Sequence, residues 1–273
     1  MPNLYADVAM FTRRYVHDSA LTTTDNAEIL RVLNDGARRV DDYCGRHFFC
    51  KLATNYYDGN GKPELWLPDD LLSVTTLKAD DDGDGVYETT LTVSTDYWLW
   101  PDNATPKIRV DINPESTVLS TWPTGRKRIQ IIGEWGYTNE TELVASVTTE
   151  ALDTTETGVD VTAGADFAAG QTILVDSEQM YISSIAANTL TVVRGVNGTT
   201  AATHLTSAVV RRYVYEEEVV GAALMWAGRL WKRRETADAT TIVAPAIGTL
   251  EIHRGLDPDV RQALDSYRAA VRV

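Results

Sequence analysis

An acidic loop offers the clearest chemistry in this sequence, the run DDDGDGVYE that begins at Asp80. Asp80, Asp82 and Asp84 take the first, third and fifth places of an EF-hand-like pattern, in which Ca²⁺ binds carboxylate oxygens. The twelfth place, where the pattern requires a bidentate Glu, holds Leu91, and Glu88 stands in the ninth. The loop therefore predicts either a Ca²⁺ site formed by Asp80, Asp82, Asp84 and Glu88 or a polar hairpin turn without a metal. No other cofactor is expected.

A second group of residues has the types that acid–base chemistry uses. Glu178, Arg194 and His204 place an acid, a base and an imidazole in one β-rich stretch. Catalysis would need a positioned pair of such groups, whereas an ion pair that braces two neighbouring strands needs only the same residue types. The sequence favours the ion pair. It contains no Gly-x-Ser-x-Gly elbow, phosphate-binding loop or dinucleotide fingerprint, so we predict no enzyme and no catalytic residues.

The composition and net charge of the chain limit the kinds of partner that it is expected to bind. The chain has 273 residues, a net charge of −14 and a pI near 4.7. Tight binding to a phosphate backbone needs basic residues that release counterions, so we expect no specific binding to DNA. The N-terminus lacks the features of a signal peptide and no apolar run is long enough to cross a bilayer, which predicts folding in a cytoplasm and no membrane partner. Cys44 and Cys50 are then expected to stay reduced.

The first element that positions these residues is an amphipathic helix. Apolar side chains recur at a 3.6-residue spacing between Asp25 and Tyr43, which predicts a single buried stripe. The stripe consists of Ile29, Leu33, Ala37, Val40 and Tyr43. We expect Asp25 to cap the helix N-terminus, Glu28 to complete a capping box and Gly45 to end the helix.

Strand patterns follow the helix. Residues 54–137 read as β-strands, with hairpin dipeptides at Asp58-Gly59 and Asn60-Gly61. Pro68 is expected to end the strand that contains Leu65. A helical pattern resumes after Glu216 and again at Asp257-Pro258, where Pro takes the first helical position.

Residues 143–213 differ from their surroundings, because they are rich in Thr, Val, Ala and Gly and read as short strands. We interpret them as a small all-β module inserted into a core formed by residues 1–142 and 214–273. The predicted fold class is α+β. It combines a helical bundle of the early helix and two C-terminal helices with a β-rich region and the inserted small all-β domain.

The run ILRVLNDGARRVDDYCGRHFF, followed by YYDGNGKPELWLPDDLLSVTTL, resembles the head–tail adaptor (connector, or head completion) proteins of tailed bacteriophages. In that family an early helix ends in a Tyr-x-Gly-Arg-x-Phe-like corner, and a Tyr-Asp-Gly hairpin and a Leu-x-Leu-Pro strand follow. Here the corner is Tyr43, Gly45, Arg46 and Phe48. The runs ILVDSEQMYI and NTLTVVRGVNGTTAATH, within residues 143–213, are similar to small β modules of phage virion proteins.

The resemblance implies a structural virion protein at the head–tail neck, assembled in the host cytoplasm. Such adaptors form a dodecameric homo-oligomeric ring below the portal protein, extend the DNA channel and offer a docking surface to the next neck or tail-completion protein. The expected portal-docking residues belong to the last helix and its tail: Asp257, Pro258, Val260, Leu264, Tyr267 and Val271. The expected ring-packing residues are Ile29, Leu33, Arg38, Arg39, Val40, Trp226 and Trp231.

Two alternatives stay open at this stage. The arginines near the end of the early helix, Arg38, Arg39 and Arg46, either pair with a neighbouring subunit or form local surface pairs with Asp35, Asp41 and Asp42. The chain as a whole could instead be a glycan-binding or host-adhesion module of the virion that uses the β insert and exposed tryptophans. Five of the seven tryptophans fall in the strand region: Trp66, Trp98, Trp100, Trp122 and Trp135.

Overall fold

A computed structural model describes residues 3–16, 22–235, 241–244, 248–251 and 258–269 of the chain. The fold is mixed α+β. The helices are α1 (Val8–Tyr15), α2 (Thr23–Cys44), α3 (Glu217–Glu235) and α4 (Pro258–Leu264), with 3₁₀ turns at Gly164–Asp166 and Asp265–Tyr267. The strands are β1 (Lys51–Gly59), β2 (Glu64–Ala79), β3 (Thr89–Leu91), β4 (Tyr97–Trp100), β5 (Lys107–Ile112), β6 (Gly125–Trp135), β7 (Thr141–Val147), β8 (Gly158–Asp160), β9 (Thr172–Val175), β10 (Glu178–Ala186), β11 (Thr189–Val193), β12 (Val209–Tyr213), β13 (Thr241–Ala244) and β14 (Gly248–Glu251).

The chain divides into two compact units. One unit contains residues 46–139 together with 197–199, and the other contains the described residues within 3–45, 140–196 and 200–269. These limits follow the contacts in the folded chain. The predicted division into an adaptor core of residues 1–142 and 214–273 and an inserted all-β module of residues 143–213 stays a prediction.

The unit around residues 46–139 is an antiparallel sheet in the order β1-β6-β2-β5-β4, with β3 paired to β2. Alternation along β6 sends Ile129, Ile131 and Trp135 into a core where each is fully buried. The opposite residues of the sheet face solvent, as is common for antiparallel sheets with one covered face.

Pro68 does not end its strand as expected. β2 runs from Glu64 to Ala79, and Pro68 falls where the register with β5 shifts, between Trp66 and Leu71. A proline has no N–H to donate to a ladder, and an irregularity of this kind is where a strand tolerates that loss.

The other unit contains the second antiparallel sheet, in the order β7-β12-β9-β10-β11-β8. All its strands lie between Thr141 and Tyr213. Its core includes Val159, Ile173, Met180 and Val210, which are fully buried.

The helices of this unit share one further hydrophobic cluster. It joins Phe11 of α1 and Ile29 of α2 to Leu224 and Trp231 of α3, so helices from both ends of the sequence pack together. The backbone N–H of Ala269, beyond α4, donates to the carbonyl of Cys44 at 2.7 Å. Val260 and Leu264 of α4 are also fully buried.

The start of α2 differs from the sequence expectation. Thr22, rather than Asp25, is the N-cap residue, and its hydroxyl accepts from the backbone N–H of Asp25. The Asp25 carboxylate accepts the Thr22 N–H in return, so the reciprocal box begins three residues earlier than predicted. Glu28 pairs with Arg31 instead. Gly45 ends the helix in the left-handed conformation (φ 65°), as predicted.

Cys44 and Cys50 are both buried, and neither forms a disulfide with another described residue. None of the helices in the described ranges combines the length and apolarity that a membrane span needs.

Candidate functional site

The acidic loop brings its four predicted ligands together. One carboxylate oxygen from each of Asp80, Asp82, Asp84 and Glu88 lies within 4.8 Å of the others. Asp80 is buried, whereas the other three are exposed. The geometry is therefore compatible with a cation that would neutralise four converging negative charges.

The same loop is also a complete turn without a metal. Asp80 accepts the backbone N–H groups of Gly83 and Gly85 at 2.5 and 3.1 Å. The guanidinium of Arg128 lies 2.9 Å from an Asp80 oxygen, so a positive charge already neutralises the buried member of the group. Asp82 and Asp84 accept backbone N–H groups two residues further on, which is typical of Asx-turns.

Calcium binding by this loop stays a prediction. Since the bidentate twelfth ligand is missing and Arg128 pairs with Asp80, we expect an affinity no tighter than about millimolar. Calorimetric titration with Ca²⁺ should show this weak heat in the native protein and none in Asp82→Ala. Absence of heat in both proteins would mean that the loop is a polar turn that does not bind Ca²⁺.

Glu178, Arg194 and His204 do come together, inside the second sheet. Glu178 begins β10 and is completely buried, and both its oxygens accept from Arg194 at 2.7 Å. His204 lies 2.9 Å from Glu178 through Nε2 and 2.7 Å from Asp176 through Nδ1. The N–H groups of Gly195 and Ala202 also donate to Glu178, each at 2.9 Å.

Glu178 and Arg194 satisfy each other within this network. Burial alone would raise the pKa of Glu178, but Arg194, Ala202, His204 and Gly195 donate to its charged form and lower the pKa to about 2. The remaining N–H groups of Arg194 donate to three backbone carbonyls. The arrangement is the strand-bracing ion pair that the sequence favours, extended by a histidine.

Three tryptophans form an exposed face on the first sheet. Trp66, Trp98 and Trp100 keep 38%, 46% and 39% of their surface exposed. Strand register places Trp66 and Trp100 on either side of Arg109. The Arg109 guanidinium carbon lies 5.0 Å from each of the two rings, whose centroids are 6.0 Å apart at 71°. The arginine is therefore held between two indoles.

A second row completes this face. Register aligns Glu64, Asp111 and Trp98 across β2, β5 and β4. Asp111 accepts from Arg109 at 2.7 and 3.1 Å through Oδ2. We call these six residues, Glu64, Trp66, Trp98, Trp100, Arg109 and Asp111, the tryptophan face. Trp122 and Trp135, by contrast, are fully buried.

The residues expected to form contacts between ring subunits differ in how exposed they are. Ile29, Leu33 and Val40 are buried in the core of their own unit, and Trp231 is 6% exposed. Arg39 is exposed, while Arg38 and Trp226 are half-buried. A neighbouring subunit could therefore meet the last three but not the first four, and the assignment as a whole stays a prediction.

The arginines near the end of α2 have different environments. Arg38 forms the local pair that the surface alternative predicts, 3.0 Å from Asp41, and donates to the carbonyl of Asn3. Arg46 lies 3.3 Å from Asp70, which is distant in sequence, and its guanidinium covers the ring of Tyr137.

The expected portal-docking residues are partly outside the described ranges, where Asp257 and Val271 fall. Pro258 is exposed, and Val260 and Leu264 are buried. The Tyr267 hydroxyl donates to Glu218 of α3 at 3.1 Å. Apart from Pro258, the exposed residues of α4 are polar: Asp259, Arg261 and Gln262.

A groove of about 400 Å³ lies in the unit that contains the helices. Its lining is largely apolar and includes Val8, Leu30, Phe167 and Ile185. The polar residues of its described lining are Asn26, Ser183 and Ser184.

No family model matches the chain, and no curated protein matches it. Among solved structures it is similar to a chain of one described as "Neck of empty GTA particle computed with C6 symmetry". The two chains are 13% identical and have a TM-score of 0.44. The match covers 98% of this chain and 91% of the other. A likeness this distant does not assign a function.

Sequence reasoning did not predict that Arg109 and Asp111 lie beside the exposed tryptophans. Their signal is the strand register that aligns them with tryptophans from two other strands, and a single sequence does not contain that register.

Proposed function

We propose that the chain is a structural neck protein of a tailed-phage particle, a head-to-tail adaptor without enzymatic activity. One observation carries the proposal. The amphipathic helices from the two ends of the sequence pack through one cluster, which includes Ile29 of α2 and Trp231 of α3. The resemblance in the first helix and its corner requires a single helical body of this kind, to which sheets are added.

The corner motif lies in the context that the resemblance expects. Gly45 stops α2 with a left-handed residue, a conformation that favours glycine. Phe48 is fully buried and lies 5.2 Å from Tyr137, ring centre to ring centre. Tyr137 follows the strand that closes on Trp135-Gly136, as in the adaptor pattern.

The proposed mechanism is assembly. Copies of the chain form a ring beneath the portal protein, as many as twelve in the adaptors that it resembles, and the next neck or tail-completion protein docks on that ring. A closed ring needs two different faces on each subunit, because each contact is head-to-tail. The net charge of −14 repels phosphates, so DNA would move through the channel without being held.

Co-purification with the portal protein of the same particle, followed by electron microscopy, tests the neck role. We expect a ring of this chain on the portal. Purified components that stay separate at micromolar concentration, or a location at a peripheral appendage, would contradict it.

The last helix is the proposed portal contact. Deleting residues 258–273 should give heads without tails, but it also removes the buried Val260 and Leu264, so loss of folding must be separated from loss of docking. The exposed Gln262 allows this. Gln262→Arg should keep the circular dichroism spectrum and still fail to bind the portal. Normal tailed particles from this variant would remove the docking assignment.

A glycan-binding role is the second candidate, and the exposure of Trp98 beside Asp111 is the observation that favours it. Stacking on an exposed indole and hydrogen bonds to a carboxylate are a common way to bind sugars. Glycan-array binding by the full chain that disappears in Trp98→Ala would support this candidate over the neck role.

A further inference from the structure

The tryptophan face has the composition of a protein-binding surface. Tryptophan and arginine are the residue types that dominate the energy of protein interfaces. Arg109 is fixed by Asp111 on one side and by the rings of Trp66 and Trp100 on the others, so little conformational entropy remains to be lost on binding. Because the guanidinium covers ring surface of both indoles, less of that surface is free to stack on a sugar.

A second exposed apolar surface lies on the other sheet. Leu143 and Val209 keep 65% and 49% of their surface exposed. Leu143 is paired with Arg211 across β7 and β12, and Val209 with Val147 further along the same strands. We call Leu143, Val209 and Arg211 the leucine face.

Each face carries one charge, of opposite sign, that forms no ion pair with another described residue. Glu64, on the tryptophan face, has no ion pair among the described residues. Arg211, on the leucine face, donates to the hydroxyl and the carbonyl of Thr141 at 2.8 and 3.1 Å, and no carboxylate in the described ranges pairs with it. A tryptophan face set against its own copy would bring together two surfaces of the same negative net charge, whereas the leucine face offers a cation.

We propose that the tryptophan face of one subunit binds the leucine face of a second copy of this chain. The contact buries the exposed indoles against aliphatic side chains and pairs Glu64 with Arg211. It is head-to-tail, so it propagates into a ring or a filament. The inference rests on the proposed ring-forming function and names the surfaces that would build the ring.

Two double variants and their mixture test the contact. Trp98→Ser/Trp100→Ser disrupts the tryptophan face, and Leu143→Ser/Val209→Ser disrupts the leucine face. All four side chains are exposed, so we expect unchanged circular dichroism spectra and only a small loss in melting temperature, from the contact of the Trp100 ring with Arg109. In analytical ultracentrifugation, the native chain should form oligomers that grow with concentration, and each variant alone should be a monomer. An equimolar mixture should form a dimer and stop there, because each variant contributes one intact face.

Three results would overturn the proposal: a monomeric mixture, a leucine-face variant that still oligomerises alone, and a native chain that is monomeric at every concentration. A charge swap gives an independent check. Glu64→Arg and Arg211→Glu should each weaken oligomerisation about tenfold or more, and the two substitutions combined in one chain should restore it.

The proposed contact between subunits and the proposed neck role can be tested separately. If both double variants still form a normal ring on the portal protein, the assigned contact fails while the neck role stands. If the faces drive oligomerisation but the chain never binds the portal, the contact stands and the neck role fails.

Discussion

At the scale of single residues, we expect the buried ion pair between Glu178 and Arg194 to make a large contribution to the free energy of unfolding. Glu178→Gln keeps the shape of the side chain but leaves the charge of Arg194, which is 6% exposed, without its carboxylate. Breaking a buried pair in this way costs about 3–5 kcal/mol. We expect urea unfolding followed by circular dichroism to show a loss of this size.

An exposed pair provides the matched control. Glu142 pairs with Arg212 and its side chain is 46% exposed, so Glu142→Gln should cost less than about 1 kcal/mol. Similar losses in the two variants would mean that Glu178 does not hold the module together. The comparison also separates a structural network from a catalytic one, since only the former predicts a stability effect without a substrate.

Asp41 of α2 predicts a specific pH dependence. Burial raises the pKa of Asp41 to about 6, although Arg38 and the Tyr5 hydroxyl lower it. Below the pKa of the unfolded chain, about 3.8, both states are protonated. As the pH rises from there to about 6, the folded state holds its proton longer, so stability falls through this window. The shift is equivalent to about 3 kcal/mol.

Asp41→Asn removes this titration. The stability of the variant relative to the native protein should therefore rise by up to about 3 kcal/mol between pH 4 and pH 7. Asp35→Asn, at a more exposed position on the same helix, serves as the control. A constant difference between the Asp41 variant and the native protein across this range would contradict the prediction.

At the scale of elements, the contact between α2 and α3 depends on one glycine. A Cβ atom at Gly36 would lie 2.6 Å from the backbone carbonyl oxygen of Ala223, so Gly36→Ala must push the helices apart. Overpacking of this kind costs about 1–3 kcal/mol. Gly221, inside α3, has nothing within 4 Å of the same position. Gly221→Ala should therefore stabilise the protein by about 0.5–1 kcal/mol.

Thermal denaturation of the two variants beside the native chain measures both effects. Opposite changes in melting temperature are expected for the same chemical substitution on two touching helices. An equal gain in both variants would show that the helices do not approach as closely at Gly36 as described.

Elements that depend on local rules could be predicted from the sequence. The spacing of Ile29, Leu33 and Val40 gave α2, and Gly45 gave its end, because helix periodicity and helix caps act over a few residues. The start of the helix was misplaced since Thr22 and Asp25 both have capping side chains and only geometry decides between them.

Features that depend on register could not be predicted in the same way. The tryptophan face joins Trp66 to Trp100 through Arg109, and these residues come from three strands. The sequence identifies the strands but not which residues are opposite each other, and a slip by one residue would turn every side chain to the other face. Pro68 was misassigned for the same reason, because a register shift accommodates it inside β2.

At the scale of the whole molecule, the net charge of the protein sets its expected affinity for DNA. The chain has 25 basic and 39 acidic residues. Several of its arginines are already paired, among them Arg46, Arg109, Arg128 and Arg194. Strong binding to a duplex needs several lysines or arginines that displace counterions from phosphates. Paired arginines in an acidic protein release few counterions, so the expected affinity is very low.

Fluorescence anisotropy with a labelled duplex measures this. At about 50 mM salt, where electrostatic binding is strongest, we expect no change in anisotropy with about 10 μM protein. Replacing Asp81, Asp82 and Asp84 by lysine changes the charge by six units on one loop and should create measurable, salt-sensitive binding. Binding by the native chain would be incompatible with a passage that DNA crosses freely. A native chain that stays unbound while the lysine variant binds would show that the acidic surface itself keeps the duplex free to move.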